Sequence, residues 1–228
     1  MSAFAIFVEG QTELVFVERL LFEMFGFQGL RIELEEQYAG FYRKIGFRGA
    51  PLENTYHCIL LVNCAHDGKV LSAIEQRANK LRNAGYERII GLRDIHPYPS
   101  DELEEIYDLI ANRLVSMPLP CKMVIAVREI EAWFIADTEH FVRYNPLLTS
   151  AFIQKNIGVD FAQQDVEQIA HPSELLGEIY KLVGGTYKKK LKETHRVVAV
   201  LNYEYLYLEA PERVPALKKF LEELDAAV

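Results

Sequence analysis

The sequence has little of several features that mark particular classes of protein. Its 228 residues contain no apolar run approaching the roughly 18 residues that a membrane span needs. The amino end lacks the basic segment of a signal peptide. Only three cysteines occur, without zinc-type spacing, and no Gly-rich phosphate loop follows the first apolar run. We therefore expect a soluble cytoplasmic protein with reduced thiols, and not a membrane, secreted or zinc protein. A flavodoxin-like or nucleotide-binding sheet ranks last among the possible functions, because the phosphate loop is missing.

Charge is segregated along the chain. The net charge of -8 argues against a protein that coats nucleic acid by bulk electrostatics. Two local stretches are basic, and each contains aromatic rings, a combination that can clamp a phosphate backbone and stack a base. We predict nucleic-acid binding through these stretches, while a mobile surface loop and a solvated charged face are the plain alternatives. Their candidate residues are Arg43, Lys44 and Arg48, and Tyr187, Lys188, Lys189 and Lys190.

Four short apolar runs, rich in β-branched and aromatic residues, predict interior strands of a parallel sheet. The runs are residues 3–8, 57–64, 86–92 and 122–127. Amphipathic stretches between them predict three helices. The expected fold is α/β, with a mainly parallel four-stranded sheet flanked by helices.

The remaining segments predict less regular structure. Residues 27–55 contain several glycines and are expected to form an insertion or flexible loop. Helical stretches separated by proline and glycine are predicted at 147–156, 173–183 and 212–225, with 197–208 ambiguous between helix and strand. We expect an α/β domain over residues 1–140 and a mainly helical extension over 141–228 that packs on it.

Carboxylates follow the predicted strands. Glu9 ends the first strand, Gly10 permits a tight turn, and Thr12 is expected to N-cap the next helix, whose first turn contains Glu13. Asp94 follows the third strand in the matching position. Because ligands bind at the carboxyl ends of parallel strands, we expect Glu9 and Asp94 to lie close enough to share a cation. Solvated glutamates in an ordinary strand-to-helix turn are the alternative.

Three further side chains are candidate metal ligands. Asp94 and His96 point to the same side of an extended chain, although a buried Asp94 paired with Arg93 is the alternative. Glu129 and Glu131 follow the fourth strand. They face one way if the strand continues, and lie about 200° apart if a helix has begun. The sequence leaves both arrangements open.

The motif Glu9-Gly10-Gln11-Thr12-Glu13 after a strand, with Asp94 after a later strand and glutamates after the fourth, resembles the Toprim (topoisomerase-primase) fold. It is similar to the Toprim domains of the overcoming-lysogenization-defect (OLD) family nucleases and to a related family of short, defence-associated proteins. Glu131-Ala-Trp133-Phe-Ile-Ala-Asp137 and Tyr187-Lys188-Lys189 also look similar to that short family. The resemblance then spans most of the chain.

The resemblance implies a divalent cation, Mg²⁺ or Mn²⁺, and phosphodiester cleavage or transfer on nucleic acid, with a role in phage defence. It makes Glu9, Glu13 and Asp94 metal ligands or general acid/base groups. One departure is His96, which stands where the family has the second aspartate of an Asp-x-Asp pair. Imidazole suits Mn²⁺ better than Mg²⁺. The site therefore uses a different ion, recruits Glu129 or Glu131, or is inactive.

Two functions follow from this resemblance. The first is a metal-dependent nuclease or related phosphoryl-transfer enzyme. The second is a catalytically degraded Toprim module that binds nucleic acid, nucleotide or a protein partner as a sensor or regulatory subunit. His96 and the acidic net charge favour the second.

Overall fold

The computed structural model describes residues 2–65, 68–95, 102–161 and 164–227 and shows an α/β protein. Its sheet has six strands in the order β3-β2-β4-β1-β5-β6. The strands are β1 (Ser2–Val8), β2 (Leu30–Tyr38), β3 (Phe41–Gly49), β4 (His57–Asn63), β5 (Arg88–Asp94) and β6 (Cys121–Ala126). Strand β1 pairs in parallel with β4 and β5, and β2 pairs in parallel with β4. The mainly parallel α/β class is confirmed, whereas the prediction of four strands is wrong.

The missed strands, β2 and β3, form an antiparallel hairpin inside the segment predicted to be a flexible loop. Strand β2 alternates buried apolar residues with polar ones, the period of a half-buried strand. The hairpin turns through Ala39 and Gly40, whose φ angles of 48° and 86° suit a two-residue turn between strands. Glycine and basic residues are typical of loops, but here Gly40 lies in a tight turn and the basic residues lie on an exposed edge strand.

Helices occur between the strands and throughout the second half of the chain. They are α1 (Gln11–Phe25), α2 (Val70–Asn83), α3 (Leu103–Leu114), α4 (Glu131–Ala136), α5 (His140–Tyr144), α6 (Ser150–Ile157), α7 (Pro172–Lys181), α8 (Leu191–Val198), α9 (Tyr203–Leu208) and α10 (Pro215–Asp225). The predicted N-cap of α1 is wrong, because Gly10 is the cap residue and Thr12 lies inside the first turn. The ambiguous segment 197–208 contains the end of α8 and all of α9.

Contacts divide the chain into two compact units. The first unit contains Met1–Ile125 and Lys219–Val228, and the second contains Ala126–Lys218. The domain boundary expected after residue 140 stays a prediction. In the first unit, the core joins alternate strand residues such as Phe7 and Val62 to Ile74 of α2 and Ile110 of α3. The intervening residues of β1 and β4 point to the opposite face and are also buried, so the centre of the sheet is covered on both faces.

In the second unit, aromatic side chains dominate the core. Trp133, Phe134, Phe141 and Tyr180 are fully buried, and the ring of Tyr180 stacks on that of Tyr144 at a centroid distance of 4.2 Å. Across the whole described part of the chain, no helix combines the length and apolar character needed to cross a membrane. The three cysteines are free thiols, as predicted.

Candidate functional site

The first candidate site lies at the carboxyl edge of the sheet, where Glu9 follows β1 and Asp94 ends β5, its parallel neighbour. Glu9 is buried, and its carboxylate accepts two backbone hydrogen bonds. Oε1 accepts from the Gly68 N–H at 3.0 Å and Oε2 from the Asp94 N–H at 3.0 Å. The Nε of Arg93 lies 4.0 Å from Oε2. Glu9 and Asp94 are therefore neighbouring residues at one edge, and their sharing of a cation stays a prediction.

Glu13 is buried in the first turn of α1, three residues after the N-cap. A glutamate at that position commonly reaches back toward the cap. A Cβ atom at Gly10 would lie 3.1 Å from Oε2 of Glu13. The glycine therefore leaves room for the Glu13 carboxylate over the strand-to-helix turn. His96 lies outside the described residues.

The donor chemistry of this edge suits a hard cation. Carboxylate oxygens are ligands of Mg²⁺ and Mn²⁺, and Mg²⁺ is usually held by one or two carboxylates with water and substrate phosphates. Glu9 and Asp94 fit that requirement. Within the described ranges, however, no three His, Cys, Asp or Glu side chains group together as a metal site. Glu9 and Asp94 are thus two neighbouring carboxylate-bearing residues, and the described residues do not form a complete protein cage for a metal.

A second cluster lies within the second unit and joins Glu129 and Glu131 to Lys189. Strand β6 ends at Ala126 and helix α4 begins at Glu131, so Glu129 lies in the connection and neither arrangement left open by the sequence applies to the pair. The Nζ of Lys189 lies 2.8 Å from Oε1 of Glu129 and 3.3 Å from Oε2 of Glu131. The Tyr187 hydroxyl donates to Oε1 of Glu131 at 2.8 Å. The ammonium group of Lys189 therefore lies between the two carboxylates. Metal binding by Glu129 and Glu131 stays a prediction.

The two glutamates of this cluster have opposite pKa shifts. Burial raises the pKa of Glu131, with the charge of Glu129 adding to the shift and Lys189 opposing it. Burial also acts to raise the pKa of Glu129. Hydrogen bonds from Lys189 and Ser173, together with the positive charge of Lys189, outweigh burial and lower the pKa. Glu129 is therefore the anionic partner of Lys189, and Glu131 is the carboxyl group that protonates more readily.

Sequence reasoning missed Ser173, which holds Glu129 from the first turn of α7. Its N–H donates to Oε2 at 2.8 Å and its hydroxyl donates to Oε1 at 3.0 Å. The two residues are 44 positions apart in the chain, and no local pattern links them. The backbone is also unusual here, because Arg128 and Lys189 have positive φ angles of 66° and 53°. Such strain persists only where the surrounding contacts fix it.

The predicted nucleic-acid-binding cations are exposed but mostly paired. On β3, each contacts an acid from β2 or α1. The pairs are Arg43–Glu36 at 2.9 Å, Lys44–Glu33 at 3.7 Å and Arg48–Glu18 at 3.7 Å. In the second stretch, Lys188 and Lys190 are exposed while Lys189 binds the glutamates. Tyr187 is buried against Glu131. Nucleic-acid binding by these residues stays a prediction.

Comparisons of the chain with protein-family models, curated proteins and solved structures found no match. The Toprim resemblance therefore rests on the quoted motifs alone, and the functions that it implies are proposals.

Proposed function

We propose that this protein is a metal-dependent phosphodiester-cleaving protein that acts on nucleic acid at the carboxyl edge of its sheet. The observation that carries the proposal is the 3.0 Å hydrogen bond from the Asp94 N–H to Oε2 of Glu9. It brings two carboxylate-bearing residues of neighbouring parallel strands together at the edge where α/β sheets bind ligands.

Within this proposal, Glu9 and Asp94 would hold Mg²⁺ or Mn²⁺. A bound divalent cation supplies an activated water and neutralises charge on the phosphate. The N–H groups of Gly68 and Asp94 fix the orientation of the Glu9 carboxylate. The nearby carboxylate of Glu13 adds negative charge to the same turn, which favours a cation there.

The nucleic-acid partner is supported by exposed cations. Arg43 and Lys44 in the first unit, and Lys188 and Lys190 in the second, keep their side chains at the surface. The ion pairs of Arg43 and Lys44 lie at the surface, and a pair of that kind contributes about 0–1 kcal/mol and is screened by salt. Phosphates can therefore replace the carboxylates at little cost.

The second candidate is the degraded Toprim module that binds nucleic acid, nucleotide or a protein partner. One observation favours it. Both oxygens of Glu9 already accept backbone hydrogen bonds, so the carboxylate has a structural task in holding two chain segments together. In a binding module, Glu9 would have this structural role alone, and no cation would be required.

Cleavage of labelled DNA and RNA, single-stranded and duplex, with Mn²⁺ or Mg²⁺, tests the proposal. We expect cleavage that is faster with Mn²⁺, because the neutral imidazole of His96 replaces an oxygen ligand that Mg²⁺ prefers. Glu9→Gln and Asp94→Asn should each abolish it, since each removes a metal-holding group at nearly constant shape. His96→Asp should shift the preference toward Mg²⁺.

The matched control is Glu53→Gln, which alters an exposed glutamate in the short 3-10 segment before β4. It should cleave like the wild type. If the wild type cleaves no substrate with either ion, and His96→Asp creates no cleavage, the enzyme is rejected in favour of the binding module.

A further inference from the structure

Strand register places the tip of the β2–β3 hairpin at the same sheet edge as Glu9 and Asp94. Glu36 of β2 pairs with Asn63 of β4, and Asn63 pairs with Val8 of β1. Strand β2 continues for two residues beyond this level, to Tyr38. Each strand residue adds about 3.3 Å, so the tip projects past the level at which β1 ends. Since β1 and β2 are both neighbours of β4, the tip lies about 10 Å to the side of Glu9.

The tip exposes two aromatic rings and a cation. Tyr38 and Phe41 pair across the turn and are 65% and 79% exposed. Arg43 has its guanidinium 5.3 Å from the centre of the Tyr38 ring. Its side chain is 63% exposed. The turn itself contains Ala39 with a positive φ, a conformation that alanine rarely adopts.

Packing does not account for this arrangement. Strand β3 is the outermost strand on one side of the sheet. Cations on such a strand discourage pairing with strands of other chains. That role explains Lys44 and Arg48, but it does not explain two large rings held in solvent at the tip. Aromatic rings beside cations are the surface on which unpaired bases stack.

We propose that the hairpin tip, formed by Tyr38, Phe41 and Arg43, stacks unpaired bases, and that the nucleic acid brought to the Glu9–Asp94 edge is single-stranded. This inference rests on the proposed function, because it takes that edge as the reacting one. A duplex offers few free base faces to the rings, since its bases already stack on one another. Arg43 exchanges its exposed ion pair with Glu36 for a backbone phosphate.

Fluorescence anisotropy in EDTA tests the inference separately from cleavage. The probes are a short labelled oligonucleotide of mixed sequence and the same oligonucleotide annealed to its complement. Wild-type protein should bind the single strand at least about tenfold more tightly than the duplex. The double variant Tyr38→Ala/Phe41→Ala should lose at least about tenfold in affinity for the single strand and little for the duplex.

Tyr56→Ala is the matched control. Tyr56 is 73% exposed and precedes β4, at the opposite edge of the same sheet. It should bind like the wild type. For the cation, Arg43→Gln should weaken binding, whereas Arg48→Gln, farther from the tip on the same strand, should have the smaller effect.

The inference is overturned if wild type binds both probes equally or neither, or if Tyr56→Ala weakens binding as much as the tip variant does. If the hairpin instead pairs with a strand of a protein partner, the wild type would bind both probes equally or neither. Failure of the proposed function looks different. Wild type would then bind the single strand through the tip, yet cleave nothing in Mn²⁺ or Mg²⁺.

Discussion

At the scale of single residues, several buried or partly buried carboxylates in this protein accept hydrogen bonds from backbone amides that are distant in sequence. Glu9 accepts from Gly68 and Asp94, and Glu129 accepts from Ser173. In the second unit, Asp137 accepts from the N–H of Asn202, and Glu167 accepts from that of Ala216 at 3.0 Å. Hydrogen bonds between a carboxylate and N–H groups are strong, because the acceptor is charged. The acidic residues that the sequence suggested for chemistry therefore also carry fold stability.

This double role bears on the interpretation of variants. Glu9→Gln keeps the shape of the side chain but can present its NH₂ group to an N–H donor, so each variant at the edge needs a check of folding by circular dichroism and urea unfolding. A loss of cleavage supports the proposed function only when the variant is folded.

Lys189→Met should destabilise the protein more than Lys188→Met does. Lys189 balances Glu129 and the fully buried Glu131, and breaking a buried ion pair costs about 3–5 kcal/mol. Because Lys189 is 37% exposed, and because Glu131 can protonate, we expect about 2–3 kcal/mol. Lys188 is exposed, and its replacement should stay within about 0.5 kcal/mol. The measurement is the free energy of unfolding in urea.

A second variant separates charge balance from lost packing. Adding Glu131→Gln to Lys189→Met removes the uncompensated carboxylate and should recover part of the stability. Equal unfolding free energies for Lys189→Met and Lys188→Met would contradict the ion-pair role of Lys189.

At the scale of elements, the hairpin shows what periodicity can and cannot predict. Strands β1, β4, β5 and β6 were predictable because each is an apolar run buried on both faces. Strand β3 is exposed at nearly every position, so it carries no alternation to detect. Its register depends on β2 and contains an irregularity at Leu34/Glu35. The sequence revealed the basic and aromatic content of the hairpin but not its position at the carboxylate edge.

Gly49→Ala should destabilise the hairpin more than Gly26→Ala destabilises the end of α1. Both glycines have a positive φ, 81° and 73°, so alanine is strained at each. A Cβ at Gly49 would also lie 2.2 Å from the backbone oxygen of Leu30, whereas a Cβ at Gly26 would meet nothing within 4 Å. The clash with the Leu30 backbone should add about 1–3 kcal/mol to the cost at Gly49.

Urea unfolding of the two glycine variants measures this difference. Equal midpoints would show that the backbones of β2 and β3 do not approach as closely at Leu30 as the structure places them.

At the scale of the whole molecule, strand order explains which parts of the site were predictable. Glu9 follows β1 and Asp94 ends β5, and parallel strands of one sheet end at a common edge, so their proximity follows from the sequence. The contact between Tyr187 and Glu131 spans 56 positions. It depends on the packing of a glycine-containing loop in the second unit, which no local pattern specifies. The sequence therefore suggested both residues for a site without indicating that they bind each other.

The proposed function depends above all on the binding of a divalent cation by Glu9 and Asp94 at the carboxyl edge of the sheet. Anomalous diffraction from crystals soaked in Mn²⁺ tests it most directly, with crystals of Glu9→Gln as the control. We expect a manganese peak within coordination distance of both carboxylates in the wild type, and its loss in Glu9→Gln. Wild-type crystals without a peak at this edge, or with a peak only beside Glu129 and Glu131, would rule out the proposed cation site.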